Sequence, residues 1–178
     1  MLAGDCFNDQ IYPLPDLMIT SLSLLQTKIV KKSWYITHLL DRVSTNNVAR
    51  KCSNREKIAW DNIQKSLYIE TIILGFPLHQ IILVEIEESD NYIVIDGDQR
   101  INALISFYGG KHYEANLLRL QNLKIRSELN GMTYEDIQCN TKVPDITATF
   151  DRNLIDIAIV KNCSSIDIIQ EIQTRINA

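Results

Sequence analysis

The stretch Tyr92-Ile-Val-Ile-Asp96-Gly97-Asp98-Gln99-Arg100-Ile-Asn102-Ala-Leu-Ile-Ser106-Phe107 limits the fold more than any other part of the chain. Four strand-forming residues, Tyr92 to Ile95, run into Asp-Gly, a turn signal. Apolar positions then recur at 101, 104, 105 and 108, the spacing of a helix that buries one face. A polar cluster therefore sits where a strand hands over to a helix. The first N–H groups of a helix lack intrahelical acceptors and its dipole favours negative charge there, which makes this junction a natural anion site. Arg100 adds a charge that does not titrate and a planar fork suited to phosphate. The residues alone equally allow an Asp-Gly turn with Arg100 in a surface or buried ion pair.

The flanking sequence supplies the elements that such a junction needs. Ile81 to Ile86 reads as a strand, Glu87 to Asn91 as a polar turn, and Tyr92 to Ile95 as its hairpin partner. Upstream, Asp61 followed by Gln64 has the form of a helix-capping pair, with Ile69, Ile72, Ile73 and Phe76 on one face and Gly75 and Pro77 as the stop. Trp34, Ile36, Leu39, Leu40 and Val43 predict a short helix from Ser33 to Arg42, closed by Ser44-Thr-Asn-Asn47. Before it, Pro13, Pro15 and a Ser/Leu alternation give conflicting signals, so residues 1–33 are read as an arm or extra strand and residues 34–178 as the domain. Beyond the central helix, Gly109-Gly110 breaks the pattern, Ala115 to Leu120 reads as a strand, and a helical piece ends at Asn130-Gly131. Residues 133–152 fit no single pattern. Leu154 to Val160 alternates as a strand with one polar face, and Ser164 and Asp167 start a helix that runs to Arg175-Ile-Asn177. No closing Gly, Pro or polar tail follows, which predicts a domain cut short at its C-terminus. The sum is an α/β (α+β) fold in one domain, as expected for 178 residues.

Composition narrows the function classes. A net charge of -4 argues against a surface that binds nucleic acid everywhere, so any DNA contact has to be focused. The basic stretch Lys31-Lys32, Arg50-Lys51 and Arg55-Lys57 reads first as a solvated face. Cys6, Cys52, Cys139 and Cys163 are far apart, without zinc-ligand spacing, and read as free thiols. His38, His79 and His112 stand alone and carry no catalytic pattern, and Trp60 reads as core. The N-terminus has Asp5 and Asp9 where a secretory signal needs basic residues, and no window is long and apolar enough for a membrane span. A cytoplasmic protein with no membrane partner is the default expectation.

Several short motifs, in order, resemble one family. Asp96-Gly-Asp-Gln-Arg100 resembles the D-G-Q-Q-R signature of the N-terminal part of GmrSD-type modification-dependent restriction proteins. Arg55 with Trp60 resembles an upstream Q-R…W element, Ser66 to Pro77 resembles S-x-x-I-E-S-I-L-x-G-x-P, and Glu128 to Gly131 resembles E-L-N-G. Glu171 to Asn177 resembles E-I-F-x-R-L-N. The likeness spans about residues 34–178, and ordered motifs together are far more specific than any one. Asp98 stands where the family has its first Gln, Asn54 where it has the upstream Gln, and Gln173 where it has Phe.

The resemblance implies a mixed sheet flanked by helices of the partition-protein and sulfiredoxin type, with nucleotide phosphates handled at the strand-to-helix junction. It implies a nucleoside triphosphate, GTP or another, with Mg²⁺ as cofactor, and modified DNA and a nuclease domain or subunit as partners. On that likeness Asp96, Gln99 and Arg100 form the catalytic set of an NTPase associated with a restriction endonuclease. Gly97, Asp98, Arg100, Asn102, Arg55, Arg175 and Asn177 would hold the nucleotide, and Asp96 and Asp98 the metal. Arg175 and Asn177 serve equally well as a helix cap. Two rivals stand beside this reading: a non-catalytic adaptor that binds DNA or a protein and uses the motif structurally, and a metal-dependent DNA endonuclease built on Asp96 and Asp98.

Overall fold

The β3–β4 hairpin forms where the sequence places it, with β3 at Ile81–Ile86 and β4 at Asn91–Asp96, antiparallel. The computed structural model describes residues 27–50, 59–86, 89–109, 117–140, 145–162 and 166–176. The hairpin lies inside a five-stranded mixed sheet of order β1-β5-β3-β4-β2, where β1 is Lys28–Tyr35, β2 is Val48–Ala49 and β5 is Leu154–Lys161. β1 is antiparallel to β5, β5 parallel to β3, and β2 parallel to β4. Six helices flank the sheet: α1 Ile36–Ser44, α2 Asn62–Ile73, α3 Asp98–Tyr108, α4 Tyr134–Gln138, α5 Ile146–Arg152 and α6 Ile166–Ile176.

Strand alternation divides the core in two. Ile155, Ile157 and Ile159 of β5, Ile81 and Leu83 of β3, and Tyr92 and Val94 of β4 face a large core shared with α1 to α5. On the opposite face Val84, Ile95 and Val160 pack with Ile169 of α6 in a smaller cluster. That second cover corrects the polar face expected of β5, because Ala158 and Val160 are buried and only Leu154 and Asp156 face outward.

Three further expectations are corrected. The first helix starts at Ile36 rather than Ser33, because Ser33, Trp34 and Tyr35 pair with Asp156, Ile155 and Leu154 at the end of an eight-residue strand. An isolated apolar pattern does not distinguish the two, and the sheet partner decides. Residues 28–33 thereby fit the extra-strand reading of the arm. Second, α2 ends at Ile73, and Gly75 (φ 68°) turns the chain so that Phe76 leaves the buried helix face and is 52 % exposed. Third, residues 117–120 join no strand ladder, and the helical piece before Asn130 is a single 3₁₀ turn, Ser127–Leu129.

That irregular segment is held from the side by α2. The buried Ser66 Oγ accepts from Gln121 N (3.1 Å), and the buried Glu70 Oε1 accepts from Ile125 N (3.0 Å) and Arg126 N (2.8 Å). Side chains of one helix thus replace a strand ladder as the acceptors of its backbone, which buried amides require.

Candidate functional site

Gly97 sets the shape of the β4–α3 junction for two reasons. Its φ of 106° lies in the left-handed region that side chains disfavour, and a Cβ there would stand 2.9 Å from Ile81 Cγ1. The glycine therefore has a packing reason to be present in addition to any close approach of a ligand. Because Gly97 offers no side chain, α3 begins without a side-chain cap, leaving the amides of its first turn exposed to an outside acceptor.

Around this open end the charged groups are arranged in pairs. Arg100 donates through Nη1 to the carbonyl oxygens of His79 (2.6 Å) and Gln80 (2.7 Å) and through Nη2 to Asp96 Oδ2. Its side chain is 13 % exposed, so the guanidinium ties the entry of β3 to the exit of β4. Asp96 Oδ1 has no partner among the described residues. Asp98 is gripped by Arg50, Nε to Oδ1 at 2.7 Å and Nη2 to Oδ2 at 3.3 Å. The negative charge that Asp98 adds to the junction is thus answered by a second arginine, set there by β2 running parallel to β4.

Gln99 points the other way. Its Oε1 accepts from Trp60 N (3.1 Å), which leaves the amide NH₂ as a donor. Trp60 is half-buried against the core and meets Tyr68 of α2 edge-on, ring centroids 5.6 Å apart. Burial pushes the Tyr68 phenol up to about 12, against the opposing pull of the Arg100 charge. It is a neutral donor at physiological pH.

The structure brings Asp96, Gly97, Asp98, Gln99 and Arg100 together, with Asn102 half-buried in the following turn. Arg175 lies on α6, 78 % exposed and paired to Glu171 at 2.7 Å. Its helix does reach the junction, since Gln173 Nε2 donates to Ile95 O at 3.2 Å, one residue before Asp96. Arg55 and Asn177 lie outside the described residues, as do Cys6, Cys52, Cys163 and His112. Cys139 is a free, exposed thiol.

Sequence reasoning missed Arg50, Tyr68 and the two carbonyl oxygens at 79 and 80. Arg50 was visible only as a member of a basic stretch, and Tyr68 only as a letter in a helix. No group of three His, Cys, Asp or Glu side chains able to share a metal ion occurs among the described residues. Two open surface cavities lie away from the junction: one of about 540 Å³ beside Asp145, Thr149 and Arg152, and one of about 390 Å³ beside Phe76, Pro77 and Leu154. Neither gathers several polar side chains around an apolar pocket, the arrangement by which small-ligand sites are recognised.

Residues 57–178 match the N-terminal domain family of the GmrSD restriction endonuclease. The chain belongs to that family. The match covers α2 to α6, so the junction and everything that packs on it downstream fall inside the family domain, while Arg50 lies outside it. The family sets the chain in the context of DNA restriction and defence. No curated protein and no solved structure matches the chain. None of the described helices is long and apolar enough to cross a membrane.

Proposed function

We propose that the β4–α3 junction binds the phosphates of a nucleoside triphosphate, GTP or another, together with Mg²⁺, within a protein that restricts modified DNA and works with a nuclease domain or subunit. The observation that carries this reading is the uncapped N-terminus of α3 beside two arginines. Exposed amides and a positive helix end bind anions without further apparatus. Mg²⁺ carried by phosphates needs only one or two protein carboxylates, and Asp96 has an unpartnered oxygen to offer. The Gln99 amide and Asn102 are further donors at the rim, and Arg175 is on the helix that packs at the strand end. For hydrolysis, Asp96 would hold the water, Gln99 would orient it, and Arg100 would stabilise charge on the transferred group.

Isothermal calorimetry of the full chain with GTP and other triphosphates in Mg²⁺ tests the reading. Heat of binding that disappears in Gln99→Ala and Arg50→Ala chains is the expected result. No binding at millimolar nucleotide would end it.

One observation favours the adaptor reading as the second choice. The Arg100 donors Nη1 and Nη2 already serve Asp96 and two carbonyl oxygens, so direct contact with phosphate would require Arg100 to exchange a partner. An adaptor would bind DNA in a salt-dependent way that nucleotide leaves unchanged. The endonuclease reading asks more of the site, since both oxygens of Asp98 are held by Arg50.

A further inference from the structure

Among the described residues two buried side-chain donors lack a hydrogen-bond partner, Arg42 Nε and the Tyr68 hydroxyl. The first has an internal explanation. The Arg42 guanidinium lies 5.1 Å from the centroids of both the Trp34 and Tyr92 rings, whose faces attract a cation, and its Nη2 bonds to Asp90 O at 2.6 Å. Tyr68 has no such compensation. Its ring is 9 % exposed and packs on Trp60, and its hydroxyl is cut off from solvent. A phenylalanine would fill the same space without leaving a buried hydroxyl unpaired, which is destabilising.

The position of that hydroxyl matters. Trp60, which Tyr68 packs against, is hydrogen-bonded through its backbone to Gln99, and the Arg100 charge is near enough to act on the phenol. Tyr68 thus stands behind the first turn of α3, the helix end that has no cap of its own. We infer that Tyr68 is a ligand-binding residue of the junction, its hydroxyl donating a hydrogen bond to an anionic oxygen of the phosphate group bound at the N-terminus of α3. This assignment rests on the phosphate-site reading above and extends it to a residue of a different helix. The phenol stays protonated through the physiological range, so it enters the site as a donor, the role a phosphate oxygen requires.

The test uses the full chain, wild type and Tyr68→Phe, titrated by calorimetry with Mg²⁺ plus inorganic triphosphate and, separately, Mg²⁺ plus GTP. Tyr68→Phe is expected to weaken both ligands about tenfold, as for loss of a hydrogen bond to a charged group. Its thermal midpoint without ligand should equal or exceed that of the wild type, because no protein partner is lost. In the wild-type chain, triphosphate should also shift the ¹³Cζ resonance of Tyr68, a readout that needs no variant. Unchanged affinity overturns the inference while leaving the phosphate site standing. So does a lowered midpoint with unchanged affinity, which would mean that the hydroxyl holds a structural water. Weaker GTP binding with unchanged triphosphate binding places the hydroxyl on base or ribose and overturns the phosphate contact. If the wild type binds neither ligand, the phosphate-site reading falls as well.

Discussion

α2 begins on Asp61, whose carboxylate accepts from Gln64 N at 2.7 Å while Gln64 Oε1 accepts from Asp61 N at 3.1 Å. α3 begins on Gly97, with a left-handed backbone and no side-chain cap. Both helices pack into the same core through fully buried residues, Ile69 and Ile72 from one, Ile101 and Leu104 from the other. They differ in what their polar groups do. Those of α2 are turned inward: the capping box closes its start, and Ser66 and Glu70 hold residues 121–126. Those of α3 gather at an end that the helix itself leaves unsatisfied. A capped helix end gains stability from its own side chains, whereas an uncapped one forgoes about 1 kcal/mol unless something else binds there. The contrast locates a site by the groups that local sequence leaves unpaired.

Four substitutions break or sharpen this contrast, and they are ordered by expected size. Arg100→Ala should be the most disruptive, destabilising the chain by about 3 kcal/mol in urea unfolding, because it strands Asp96 and two carbonyl oxygens at a largely buried position. A loss smaller than that of a surface ion pair would show that Arg100 does not hold the β3 entry, and would remove the support for a purely structural motif. Glu70→Ala comes next at about 2 kcal/mol, since two buried amides lose their acceptor. Amide exchange at Ile125 and Arg126 should rise with it, and unaltered protection there would refute the proposed anchor. Asp61→Ala should remove about 1 kcal/mol through its cap alone, with nucleotide affinity unchanged. A change in affinity would mean that the two helix ends are not independent.

Asp98→Gln restores the family residue and should move stability least, by about 0.5 kcal/mol or less, since the Arg50 pair is partly exposed. Its effect belongs in binding: with one carboxylate gone and Arg50 released, triphosphate affinity should rise several-fold. An affinity that falls would make Asp98 a contributor to the site, as a metal ligand would be.

How much of this was readable beforehand depended on distance along the chain. The capping pair at 61 and 64, the Gly75 stop, the 81–95 hairpin and the strand-to-helix junction at 96–98 are all written in neighbouring residues, and all are present. The α1 boundary failed because Ser33 to Tyr35 suits helix or strand alike until β5 is beside it. The strand expected at 115–120 failed over its described part, residues 117–120, because an apolar run shows burial and not the identity of its backbone partners.

By itself the sequence determined the family, the alternation of elements and the place where a strand gives way to an uncapped helix, because periodicity, glycine and capping act over a few residues. Only the tertiary structure decided what surrounds that place. Arg50 reaches Asp98 across 48 residues, Glu70 reaches Ile125 across 55, and Gln173 reaches Ile95 across 78. Such contacts leave no local pattern, since they are made by side chains that sheet order and helix packing bring together after each segment has taken its own form. The pairing of Asp98 and the solitary hydroxyl of Tyr68 are both of this kind.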